Sequence, residues 1–215
     1  MSKGFRVEIE VSQASAGVGR RHLLGAGVGG AALSLLPFLS SRANASSEDG
    51  TTTTAPPKQP TDADATVLAG VQQVELTLVA LYDTAIKEVT TWDDAQLVVL
   101  TAVREAHQEF ASALNGILGR SATNASADAL FAELSGGFKG DRGEVLLAMH
   151  EVESAAVATQ QEAIGALQGT NGAALLASVQ IAEARHCTIL ADLAGSDDLA
   201  LLLVNDEAAS LSVNG

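Results

Sequence analysis

The tetrapeptide Glu183-Ala184-Arg185-His186 sets a carboxylate and an imidazole one helical turn apart. Around it Leu176, Val179, Glu183, His186, Leu190 and Leu193 recur at steps of three and four, which places all six on one stripe of a helix. A stripe with that pattern faces a core, and burying a carboxylate or an imidazole there alone is costly. Three more segments each offer one such residue in step with apolar neighbours. Glu75 stands between Val71 and Leu78, His107 between Leu100 and Ala111, and Glu153 between Met149 and Val157. Glu151 is close to Glu153, but the fit to Met149 and Val157 makes Glu153 the inward one. Carboxylate and imidazole donors together suit iron, manganese or zinc. Each residue also has a plainer reading. Glu183 with His186 could be a surface pair, and His107 alone could be a hydrogen-bonded core histidine. His150 and Tyr82 are adjacent candidates; an exposed or capping role is expected for the first and a packed core tyrosine for the second. Cys187 sits about 100° off the stripe and is not counted as a ligand.

Four long helical patterns must position these groups. The first runs from about Thr61 to Val89, with Asp62 and Asp64 suited to its positive N-terminal end. The second runs from about Trp92 to Leu118, where Thr91 and Asp94 have the spacing of a capping box. The third runs from about Asp141 to Leu167, with Gly169 as its stop, and the fourth from about Gly172 to Leu193, stopped by Gly195. Short connections make the first pair, and likewise the last pair, antiparallel neighbours. Residues 119–140 are long enough to cross the bundle and predict a short helix at Ala127–Leu134, broken by Gly136-Gly137. The expected fold is therefore all-α, an up-down-down-up four-helix bundle with a long crossover. A short fifth helix is expected at Leu199–Val204, behind Asp197-Asp198.

Composition agrees with helix packing. Aromatics are 3% of the 215 residues, and the apolar share is mostly Ala, Leu and Val. The net charge of −14 argues against nucleic acid and anionic membranes as partners. A single cysteine excludes an internal disulfide within one chain. Residues 1–45 read as a targeting segment rather than as fold. Arg20-Arg21 opens a mildly apolar run rich in Gly and Ala, which ends near Ala43-Asn44-Ala45. This resembles a twin-arginine export signal, with an ordinary secretory signal or an uncleaved anchor as alternatives. Residues 46–61 form a Ser/Thr/Pro stretch without apolar period, expected as a disordered tether. The folded part is then 62–195, and 196–215 is a C-terminal extension. Export to the periplasm, envelope or exterior is expected, with no stable membrane span after cleavage.

The order of residues over the four helices resembles the ferritin-like superfamily, and in particular its exported bacterial members. Their pattern is Glu on the first helix, Glu-x-x-His on the second, Glu on the third and Glu-x-x-His on the fourth. Val74-Glu75-Leu76, His107, Glu151-Val152-Glu153 and Glu183-Ala184-Arg185-His186 stand in those places, over about residues 62–195. The resemblance implies Glu75, His107, Glu153, Glu183 and His186 as ligands of one or two ions, iron or manganese ahead of zinc. It also implies redox or oxygen/peroxide chemistry.

One place departs from the pattern. Three residues before His107 stands Arg104, where a glutamate is expected. Arg104 can swing out and leave one carboxylate fewer. Alternatively it can insert among Glu75, Glu153 and Glu183, its guanidinium standing in for a cation. The inserted form leaves about −2, a charge suited to one divalent ion, and a mononuclear or empty site is expected. The metal-free alternative is a structural or interaction module held by an Arg104 salt-bridge network. Substrate, catalytic activity, self-association and an envelope partner are all left open by the sequence.

Overall fold

The computed structural model describes residues 55–203 and 208–213. The expected export segment, 1–45, and the first part of the linker, 46–54, lie outside the described residues, as does Val204 of the expected fifth helix.

The described residues are helical, without strands. The elements are α1 (Asp62–Glu88), α2 (Asp94–Leu118), α3 (Asp128–Leu134), α4 (Arg142–Ala166), α5 (Thr170–Leu193) and α6 (Leu199–Leu203). At 27, 25, 25 and 24 residues, the four long helices span roughly 36–41 Å each. By length and composition α1 could also cross a bilayer. More than half of its most apolar stretch is buried within the protein, as befits a core helix.

Local chemistry sets the helix starts. Thr61 and Asp64 form a reciprocal capping box at α1. At α2 the box is formed by Asp93 and Gln96, not by the expected Thr91 and Asp94. Both pairs have the required spacing, and the helix takes the later one. Asp141 caps α4 by accepting from the amides of Gly143 and Glu144. Gly169, expected to stop α4, instead caps α5, since α4 ends at Ala166. Its need for glycine is steric: a Cβ there would lie 2.8 Å from the Gln59 carbonyl oxygen.

That crowding reflects a dock. The Asp64 carboxylate also accepts from the amides of Gln168 and Gly169, at 2.8 and 2.9 Å. Backbone donors, Gln168 first and then Thr61, hold its carboxyl below the ordinary range. The amides of Thr170 and Asn171 donate to the carbonyls of Pro57 and Lys58, both at 3.0 Å. The tether expected to be disordered through Thr61 is thus hydrogen-bonded to the α4–α5 turn from Pro57 onward.

The long helices pack α1 on α2, α4 on α5, α1 on α4 and α2 on α5. The crossover is more than a connection. Gln72 on α1 receives the amides of Thr123 and Asn124 on its side-chain oxygen, and Asn124 takes a left-handed φ of 51° there. Further along, Leu130 and Phe138 are buried in the core. The apolar core forms two clusters. The larger includes Leu78, Leu81, Leu100, Leu146, Met149 and Leu190; the smaller includes Leu68, Val71, Leu114 and Leu176. Each such side chain returns about 1.5–3 kcal/mol on burial. That is the capital available to offset a polar layer.

Two C-terminal pieces cover the long helices. The Leu202 carbonyl of α6 accepts from the Thr188 hydroxyl at 2.9 Å, and His150 Nε2 lies 2.8 Å from the Leu201 carbonyl oxygen. Leu199 and Leu203 remain exposed. Residues 208–213 lie along the α1/α4 side. There the Leu211 amide donates to Thr159 Oγ1 and the Ser210 hydroxyl to Glu162.

Candidate metal centre

Glu75 on α1, His107 on α2, Glu153 on α4 and Glu183 on α5 are all 0% exposed, and His186 on α5 is 8% exposed. All five residues singled out by the sequence come together. His107 occupies the centre. Its Nδ1 lies 2.8 Å from Glu75 Oε2 and its Nε2 lies 2.8 Å from Glu153 Oε1. His186 Nδ1 lies 3.1 Å from Glu153 Oε2. Two triads could each hold an ion, Glu75–His107–Glu183 and His107–Glu153–His186; within each, the donor atoms lie inside 4.8 Å of one another.

Two further residues complete the layer. Tyr82, one face of α1 shared with Glu75, donates its hydroxyl to Glu153 Oε1 at 2.6 Å. Its ring lies 5.6 Å from that of His107 and meets Phe138 of the crossover edge-on. Gln160, two turns beyond Glu153, donates from Nε2 to Glu75 Oε1 at 2.7 Å and to Glu183 Oε1 at 3.3 Å. Gln160 carries no charge, and nothing in its residue type marks it as a ligand. Its only signal was an uncharged polar residue at a core position. Tyr82 was expected merely to pack.

Electrostatics divides the carboxylates. Burial alone would raise the Glu153 carboxyl, but the charges and hydrogen bonds of His107 and His186 outweigh it and hold the group far below the usual range. Burial pushes His107 down, yet the Glu153 charge and hydrogen bonds from Glu153 and Glu75 leave it well above its ordinary value. Without an ion, His107 is an imidazolium donating to both glutamates. Glu183 is driven well above its ordinary value by burial, then by the Glu75 charge, with His107 opposing. Burial and Glu153 raise the Tyr82 hydroxyl, so it stays a donor.

Two buried side-chain atoms among the described residues have no hydrogen-bond partner, Glu183 Oε2 and Gln160 Oε1. Both are acceptors at the same layer. A set of three carboxylates, two imidazoles and unpaired acceptor oxygens fits a hard or borderline cation.

Arg104 corrects one expectation. It does not insert among the glutamates. Its Nε and Nη2 reach Asp83 Oδ1 and Oδ2 at 2.9 and 3.1 Å, on the outer side of the α1–α2 pair. The hydrogen bond to Asp83 raises its pKa. The buried Arg104 network of the metal-free alternative is absent, because a bidentate partner stands within reach at the surface. The site therefore holds three carboxylates without a guanidinium. His150 is neither exposed nor a ligand; it is buried against the Leu201 carbonyl.

Comparison of the chain with protein-family models, with characterised proteins and with solved structures gives no match.

Proposed function

We propose that this chain is an exported ferritin-like protein that holds a transition-metal ion inside an up-down-down-up four-helix bundle. The connections support that topology. Tyr82 meets Glu153 while Glu75 meets Gln160. Seven residues forward on α1 is thus seven back on α4, so those helices run opposite ways. With α1–α2 and α4–α5 as hairpins, the crossover carries the chain back along the bundle to start α4 in the sense of α2.

The observation that carries the metal reading is Glu183 Oε2, fully buried with two other carboxylates and without a donor. A buried acceptor in that position costs about 1–3 kcal/mol unless something positive meets it. Iron or manganese fits the mixed oxygen and imidazole set, with zinc next. When bound, iron or manganese would supply redox chemistry toward oxygen or peroxide. The protein's own contribution is a dry pocket, fixed donors and a hydrogen-bonded tyrosine. Elemental analysis of full-length chain recovered after export tests the reading. Near-stoichiometric iron, manganese or zinc is the expected result, and metal-free protein that also refuses added ions would refute it.

A metal-free structural module is the second reading. It is favoured by the two 2.8 Å contacts of His107, which close a hydrogen-bonded chain from Glu75 to Glu153 without any guest.

Export by the twin-arginine route is part of the proposal. Intact-mass measurement of the exported protein is expected to find a chain starting near Ser46, after Ala43-Asn44-Ala45.

A further inference from the structure

The two triads share His107, and a neutral imidazole has one lone pair to give. An ion on Nδ1 leaves a proton on Nε2, and an ion on Nε2 leaves a proton on Nδ1. The two positions therefore exclude each other, and their surroundings differ.

On one side, Glu153 already accepts all it needs. Its Oε1 receives the Tyr82 hydroxyl and His107 Nε2, and its Oε2 receives His186 Nδ1. An ion there would displace the His107 and His186 donors and leave Glu75 and Glu183 buried together with no positive charge between them. On the other side the donors are incomplete. Gln160 occupies Glu75 Oε1 and Glu183 Oε1, which leaves Glu75 Oε2 and Glu183 Oε2 as the oxygens it does not hold. Glu183 Oε2 has no partner, and Glu75 Oε2 has only His107 Nδ1, at 2.8 Å. With metal–ligand bonds near 2.1 Å, two donors at right angles on one ion sit about 3 Å apart. The 2.8 Å separation is compatible with two ligands on a common cation; the Nε2–Glu153 Oε1 separation is the same, and what distinguishes this side is the unpaired Glu183 Oε2.

We infer that the protein binds a single divalent ion through Glu75, Glu183 and His107 Nδ1, while Glu153 and His186 act as positioning residues outside the coordination sphere. This rests on the metal reading above and sharpens it. The ion replaces the Nδ1 proton and the proton that burial keeps on Glu183, both of which leave to solvent, and the remaining Nε2–H stays directed at Glu153. A carboxylate on the far nitrogen of a ligating histidine fixes the ring and strengthens it as a donor. Charge closes as well, since two carboxylates neutralise one divalent ion. Gln160 holds those two carboxylates side by side from behind.

The test uses the full-length protein, stripped with chelator and titrated with Mn2+. Binding stoichiometry comes from equilibrium dialysis, and coordinated imidazoles are counted by pulsed electron paramagnetic resonance of the bound Mn2+. The expected result is one equivalent of Mn2+ with one coordinated imidazole. His107→Gln removes that nitrogen signal and His186→Gln retains it. Two coordinated imidazoles in the unmutated protein, or two equivalents bound, overturn the inference while leaving a metal protein in place. No Mn2+ bound at all overturns the metal reading itself. The count on the unmutated protein decides the matter even if a variant fails to fold.

Discussion

Glu153 and Glu183 are the same residue type, equally buried and carried by the packed neighbours α4 and α5, yet the protein treats them in opposite ways. Glu153 is surrounded by donors from α1, α2 and α5 and keeps its charge. Glu183 has one long hydrogen bond from Gln160 and a bare oxygen, and burial pushes it toward the protonated form. Burial by itself does not set the state of a buried carboxyl. The number of N–H and O–H groups aimed at it does. One half of the polar layer is completed by the fold's own donors, and the other keeps an unpaired carboxylate oxygen.

The sharpest way to break this comparison is to neutralise each carboxylate in turn in chelated protein. Glu153→Gln leaves an imidazolium and two other donors facing an amide, and should cost about 3–5 kcal/mol. Glu183→Gln replaces a group whose charge burial already disfavours and should cost about 1 kcal/mol or less. Urea unfolding of the two variants checks this, and equal losses would erase the distinction.

pH is the next largest lever. His107 keeps a proton in the folded protein above its ordinary value near 6.5, and Glu183 keeps one above its ordinary value near 4.5. In both windows the native state binds more protons than the unfolded chain, so stability falls as pH rises. Each retained proton is worth about 1.4 kcal/mol per pH unit. Chelated protein should therefore melt at progressively lower temperature from pH 5 to pH 8. Ligands must shed protons to bind metal, so added Mn2+ should offset that decline and do so more strongly at the higher pH. Melting curves with chelator and with Mn2+, over the same pH series, separate the two effects.

A smaller loss is expected from Tyr82→Phe, which removes a 2.6 Å hydrogen bond to a charged group. About 1.5–3 kcal/mol is the usual cost. Smallest of all should be Arg104→Ala. Its pair with Asp83 is half-exposed and should be worth under about 1 kcal/mol, with Mn2+ affinity unchanged within twofold. A large change in affinity would place Arg104 back in the site's chemistry.

The convergence of Glu75, His107, Glu153, Glu183 and His186 was legible because a helical period and a charged residue in a core stripe are both sequence properties. Helix existence, the crossover helix and the stop at Gly195 follow from the same kind of signal. What was hidden depends on neighbours between helices. Arg104 had two destinations, and only packing brings Asp83 beside it. Gln160 is uncharged, so nothing in the sequence marks it as the clamp across two glutamates from separate helices. The α2 start could be placed at either of two capping boxes. His150 gained its partner from α6, 51 residues on, which no local pattern could reveal.

The dock at Pro57–Lys58 has a mechanical corollary. A pull on the chain ahead of residue 57 reaches the start of α5 through the Thr170 and Asn171 amides, and the α4–α5 turn through Asp64, before it can peel α1. Force is spread across both hairpins at once. Stretched from that end, the protein should yield in one abrupt rupture, and Asp64→Ala, which keeps the Pro57 and Lys58 dock but loses the hold on Gln168 and Gly169, should lower the force at which it yields.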